Sequence, residues 1–450
     1  MIQKLYVGLA LICAIWLSYK GISRYRFLSF LLCFWILGGS IIHQSEFDIR
    51  LYGSNSGVQL EQCICYSLFA CLLLAYGRKA GIADQPRRLP YEKYLYLFFI
   101  WFLGVICYHL YSGNLTLREF RGLIEPSAIV LFSYLLLKRI SDQKVVETLG
   151  KALIIVATIS SIIAIIQFFY DPYFLRLGGV YPAFAGRSRS SGVFWAEYLH
   201  SYIVITGLML TLLFVTKRNY RVVLIPVLLI GIILSFHRMS WIATLILLLM
   251  YFIFVRRFNP LVLIFSCVVM IFCIYVLTSE LLPLMSDIEG SSFYQERLSS
   301  DTMTDRMRLN SMVLEHADQI FFMGTGNKRS EVYHNGMLGL GMGEQWESGS
   351  KGGIHNVYLE TLFLYGVPLL ALLLTMLISV IRTQYRLMVS MNLFFFFPLS
   401  YVVMYTVMNL TNSFQLYTEL GILLGIILGC SAAYARILSR PENNTRIGIA

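Results

Sequence analysis

Apolar stretches long enough to cross a lipid bilayer, about 20 residues each, recur in this chain from residue 5 to residue 435. No other feature limits the fold as strongly. Inside hydrocarbon every backbone N–H and C=O must be paired within its own helix or within a closed barrel. A barrel needs segments of alternating hydrophobicity, and the apolar runs here do not alternate. The expected fold class is therefore an all-α polytopic integral membrane protein. Composition agrees: of 450 residues, 57% are hydrophobic and 14% charged, against about a quarter charged in soluble domains.

Spans are expected near residues 5–19, 27–43, 60–77, 94–112, 123–138, 149–170, 198–216, 222–236, 241–255, 260–282, 355–380, 393–410 and 416–435, which makes twelve or thirteen helices in a single membrane domain covering 1–450. The first follows Lys4, lacks a small-x-small cleavage site and is read as retained. All nine cysteines fall inside or at the edge of apolar spans, which argues against a disulfide framework or a zinc site.

Alternate connections carry the basic residues. Seven clusters, at residues 20–26, 78–93, 138–151, 217–221, 256–257, 382–386 and 436–446, hold 22 of the 36 lysines and arginines. By the positive-inside rule these connections are cytoplasmic. The net charge of +11 is then mostly topology, and no nucleic-acid partner is needed to explain it. The opposite connections are external, and one of them, residues 283–354, is a long loop with ten acidic and six basic residues. Loops of this length inside compact proteins are usually functional. Its glycines and the amphipathic stretch "DRMRLNSMVLEHADQIFF" read as short helices lying over the bilayer surface.

Some external arginines have no topological explanation. Arg176, Arg187 and Arg189 stand in "RLGGVYPAFAGRSRSSGVF", Arg238 in "LSFHRMSW", and Arg306 and Arg308 in the long loop. Arg238 and His237 form the whole connection between two spans, where a cation is costly unless an anion meets it. An isolated arginine there also snorkels to lipid phosphates or helix carbonyls. Arginines at three separate external sites fit a diphosphate better, because each guanidinium grips phosphate oxygens in bidentate fashion. His355 and Asn356 mark the join between a glycine-rich loop and the apolar run "VYLETLFLYGVP". Asn356 suits a helix N-cap. His355 suits either an ordinary hydrogen-bonded role or proton transfer, and His334 in "YHNGM" competes for the second. His109, His200 and His237 map near the same face, without the spacing of a metal motif.

These pieces together resemble the O-antigen ligase and polymerase superfamily, the Wzy-like or WaaL-like membrane glycosyltransferases. The resemblance runs from about residue 120 to 430 and rests on "RSSGVF" (Arg189, Gly192, Phe194), on Arg238 at a tight hairpin, on "DRMRLNSMVLEHADQIFFMGTG" (Arg306, Gly324, Gly326) and on "HNVYLETLFLYGVP" (His355, Asn356, Tyr358, Leu359, Gly366). It implies a fold like the C-type glycosyltransferases and an inverting transfer, independent of metal and cofactor, from an undecaprenyl-diphosphate-linked oligosaccharide to an acceptor glycan at the periplasmic face of a bacterial inner membrane. It further implies that Arg189 and Arg238 hold the diphosphate and that His355 serves the acceptor hydroxyl; Arg187, Arg306, Glu197, Asn356 and Tyr358 are expected as further substrate contacts. Membrane lipid, a chain-length regulator and a flippase are the expected partners. Where many relatives carry Pro-Asn after "SGVF", this chain has Trp195, Ala196 and Glu197, and Glu197 is thereby a candidate second acid or base. The long loop and this departure favour an O-antigen or exopolysaccharide polymerase. A ligase to lipid A-core and a lipid-linked-sugar transporter are the alternatives.

Overall fold

A computed structural model describes residues 89–138, 143–175, 188–194, 197–256, 356–410 and 418–439, together with parts of 310–326. The expected spans at 5–19, 27–43, 60–77 and 260–282 lie outside the described residues, as do Arg176, Arg187, Arg306, Arg308, His334 and His355. Among the described residues the chain is helical. In order come α1 (Glu92–Tyr111), α2 (Leu117–Leu137), α3 (Gln143–Phe169), α4 (Glu197–Phe214), α5 (Arg218–Leu234), α6 (Arg238–Met250), α7 (Val357–Ser390), α8 (Phe396–Met408) and α9 (Thr418–Leu438). A π-helical turn, Tyr251–Val255, extends α6, and a 3-10 turn, Leu393–Phe395, precedes α8. Five of these helices are long and apolar enough to cross a membrane, and two shorter apolar ones accompany them. The protein is a multi-pass membrane protein.

Two kinds of contact bring the helices together. Most of the interface is apolar and buried, with Tyr202, Leu208, Phe395, Phe396 and Met408 at its centre. Where two helices approach closely, glycine makes the room: Cβ atoms added at Gly425 and Gly429 of α9 would stand 2.5 Å from the Val130 carbonyl oxygen and 2.8 Å from Leu137 Cβ of α2. Such small-residue spacing is how membrane helices pack when lipid is as apolar as leucine. A buried ion pair adds to this. Lys138, counted from sequence among the cytoplasmic charges, turns inward at that end of the bundle and donates to Glu92 at the start of α1. Both side chains are nearly fully buried, and the backbone N–H of Leu89 also donates to Glu92. Removing either charge would strand the other, which makes this pair a strong constraint on the α1–α2 register.

The expected span at 355–380 is a longer and broken helix. α7 runs over 34 residues in two helical pieces, and the second, 367–390, is alone about 36 Å long at about 1.5 Å per residue, more than the roughly 30 Å of hydrocarbon. Its far end carries Arg382 and Arg386 beyond the apolar run. Near its start the helix breaks at Gly366, with φ 82° and ψ 174°, two residues before Pro368. Proline has no N–H to give the Leu364 carbonyl, and the glycine turns the Val367 N–H away from Phe363. Both freed carbonyls find partners in the segment 321–326. Thr325 N–H donates to Phe363 O at 2.8 Å, Gly326 N–H to Leu364 O at 2.9 Å, and Val367 N–H to Phe321 O at 2.8 Å. "FFMGTG" therefore lies against the break as a splint, itself turned where Gly324 N–H donates to Ile320 O at 3.1 Å. Gly324, at φ 70°, sits where an added Cβ would be 2.3 Å from Leu364 C and Tyr365 N. A Gly324→Ala variant should accordingly lose on the order of 1–3 kcal/mol of stability, read as a melting-temperature drop of several degrees in detergent. An unchanged melting temperature would mean that the splint is not a structural requirement.

Candidate functional site

Contacts between antiparallel neighbours put the end of α3, the start of α4 and the α5–α6 hairpin at one end of the bundle, and because the far end of α6 meets the start of α8, Tyr251 against Phe396, the end of α8 and the start of α7 bonded to it lie at that same end. Hydrogen bonds tie these pieces together. Ser190 N–H donates to Leu234 O at 3.0 Å, and Val357 N–H to Asn409 O at 3.1 Å.

Arg189 stands on the turn 188–194, and Gln167 near the end of α3 fixes that turn. The Gln167 Oε1 accepts from both Ser191 N–H (3.0 Å) and Gly192 N–H (2.9 Å), while its Nε2 donates to Gly192 O (2.7 Å) and Phe174 O (2.9 Å). Every hydrogen-bonding group of the buried amide is thus engaged with backbone. A second brace comes from Ser160, whose Oγ accepts from Val193 N–H at 3.3 Å and lies 2.7 Å from His200 Nδ1. The His200 Nε2 lies 3.0 Å from Gly231 O. A carbonyl only accepts, so Nε2 carries the proton and Nδ1 accepts from the serine hydroxyl. His200 is a buried structural link between α3, α4 and α5. His109 is another, with Nε2 2.8 Å from Met323 O and Nδ1 3.3 Å from Asn114 Nδ2. It braces the splint segment from α1.

On this fixed turn the Arg189 guanidinium donates from Nη1 to Glu197 Oε1 at 2.6 Å, across the opening of α4. The hydroxyls of Ser188, Ser190 and Ser191 beside it are buried with no hydrogen-bond partner among the described residues, an arrangement that protein interiors seldom leave.

Arg238 is the first residue of α6 and is exposed. Its position opposes the helix macrodipole, which favours anions at the N-terminus and cations at the other end. A helix N-terminus with a guanidinium attached is, in physical terms, an anion site. The hairpin before it is strained and firmly packed. Phe236 adopts φ 50°, a region costly for a bulky residue, and its ring stacks on Phe168 at 5.7 Å. His237 lies with Nδ1 2.6 Å from Ser240 Oγ, and Trp241 Nε1 donates to Ile232 O at 3.2 Å. The arginine is therefore held on a preformed corner.

His355 itself lies outside the described residues, and Asn356 begins α7 immediately after it. Asn356 caps the helix as its sequence suggested, its Oδ1 accepting from Tyr358 N–H at 3.0 Å and Leu359 N–H at 3.2 Å. The Tyr358 hydroxyl donates to Thr406 O at 3.0 Å. The asparagine thus orders the first turn of the helix, and the tyrosine ties that turn to α8. The structure brings Arg189, Glu197, Arg238, Asn356 and Tyr358 to one end of the bundle, while Arg187 and Arg306 lie outside the described residues. Gln167 and Ser160 escaped sequence reasoning, and His200 stood out only as a histidine near this face. Their only signal is polarity within apolar runs, and nothing in the spacing connects residue 167 to residue 192.

No curated protein matches the chain. Residues 222–374, about a third of the chain, match the family model described as O-antigen ligase. That region contains Arg238, the splint 321–326 and the broken start of α7, and its similarity to that family supports a place in the O-antigen ligase and polymerase superfamily.

Proposed function

We propose that this protein is a periplasmic-face polysaccharide polymerase of the inner membrane, transferring an undecaprenyl-diphosphate-linked glycan to a sugar hydroxyl of an acceptor glycan. The observation that carries the reading is the gathering of Arg189, Arg238 and the capped start of α7 at one end of the bundle. The bond from the anomeric carbon to the diphosphate oxygen breaks, and its electron pair leaves with the diphosphate. Guanidinium groups on rigid mounts stabilise the charge that grows there. The acceptor hydroxyl forms the new bond to the anomeric carbon from the opposite face, and its proton passes to His355 as general base. The bonds of Asn356 and Tyr358 support this role by holding the helix that presents His355. The buried serine hydroxyls around Arg189 support an oxygen-rich ligand at that turn.

Deletion of the gene tests the reading against the ligase alternative. A polymerase null should leave single repeat units on the final acceptor. Accumulation of long lipid-linked polymer with a bare acceptor would instead identify a ligase. The arginines supply the positive charge that a divalent cation would otherwise bring, so the purified enzyme should turn over in excess EDTA. Activity lost to EDTA and restored by magnesium or manganese would contradict that mechanism.

A further inference from the structure

The ion pair between Arg189 and Glu197 puts a carboxylate where the donor's diphosphate is to bind. Neither partner is free to drift away. Arg189 is carried by a turn bonded to Gln167 and to Leu234 O. Glu197 opens a helix whose next turns are buried, and Ser201 Oγ donates back to the Glu197 carbonyl at 2.9 Å. The pair is nevertheless reachable, since 19% of the Arg189 side chain and 12% of the Glu197 side chain are exposed. An arriving diphosphate must displace the carboxylate from Nη1 or share the guanidinium with it, and in either arrangement the two anions repel.

We propose that Glu197 is an internal competitor for Arg189, an anion built into the protein that the donor displaces on binding and that returns to drive the diphosphate product out. This rests on the diphosphate reading above. Bond cleavage leaves the lipid diphosphate with one more ionisable oxygen than the donor had, so two fixed arginines alone would hold the product more tightly than the substrate. A carboxylate waiting beside the guanidinium counters that. The pair also gives Glu197 a partner other than an incoming hydroxyl, so Glu197 acts here on Arg189 and not as the second acid or base considered from sequence.

The test uses the purified full chain in lipid nanodiscs, with geranylgeranyl diphosphate as binding probe and geranylgeraniol as the uncharged control. Glu197→Gln should bind the diphosphate roughly tenfold more tightly, the size of one charge-assisted hydrogen bond, and Glu197→Asp should keep weak binding because it keeps the charge. Arg189→Ala should bind more weakly, and the gain from Glu197→Gln should vanish in the Arg189→Ala background. In turnover, Glu197→Gln should lower both the donor KM and kcat and should sharpen inhibition by added product. Equal or weaker binding by Glu197→Gln, beside weakened Arg189→Ala, would overturn the competitor and leave the diphosphate reading standing. A gain that persists without Arg189 would also overturn it, since the carboxylate would then act as a diffuse charge. Wild-type binding by Arg189→Ala would instead overturn the diphosphate reading itself.

Discussion

Replacing Arg238 or Arg189 with alanine should cut transfer by on the order of 100-fold or more, with kcat falling more than donor affinity. The reason is the timing of the charge. In the proposed reaction the donor's diphosphate is partly compensated in the ground state, and the bond-breaking step adds charge that a fixed cation stabilises. Arg238 stands on a corner held by the Phe236–Phe168 stack and the Trp241–Ile232 hydrogen bond, so it arrives without reorganisation. Lysine at either position keeps the charge and loses the bidentate fork, and its recovery should be partial. Activity within a few-fold of wild type for both alanine variants, with normal protein level, would remove the arginines from the chemistry.

His355→Ala should abolish transfer while protein level and donor binding stay close to wild type. A general base acts on the acceptor's proton and has little part in holding the diphosphate, so the loss belongs in kcat. The matching change at His334 should be mild. Product ladders in a null strain, together with donor binding by each purified variant, separate the two histidines. Near-normal ladders from His355→Ala with lost ladders from His334→Ala would move the base into the long loop.

Hydropathy made several helices legible to within a few residues: residues 198–216 were expected and Glu197–Phe214 is helical, and 94–112 corresponds to Glu92–Tyr111, whereas α2 and α3 begin six residues before the expected 123 and 149 because their first turns are polar. The span beginning at 355 was legible in place but not in shape. Gly366 and Pro368 are visible in the sequence, yet the break depends on donors from Thr325 and Gly326, about 40 residues earlier in the chain, accepting the role of the missing turn. Lys138 counted as a topology charge because a buried ion pair needs a partner 46 positions away, which no local pattern announces. The arginines were legible because a cation at a membrane helix junction is an anomaly in any single sequence. Gln167 and His200 were not, since a lone glutamine or histidine in an apolar run acquires its meaning only from the backbone groups that tertiary packing sets opposite it.

Reconstitution tests the central claim most directly. The purified protein in nanodiscs would be given an undecaprenyl-diphosphate-linked repeat unit alone, and the products resolved by length and by the configuration of each new glycosidic bond. Transfer by a single displacement predicts a ladder of lipid-linked oligomers in which every new linkage is inverted relative to the donor, with one undecaprenyl diphosphate released per bond formed. A retained configuration, or donor that crosses the bilayer with no new bond made, would contradict it.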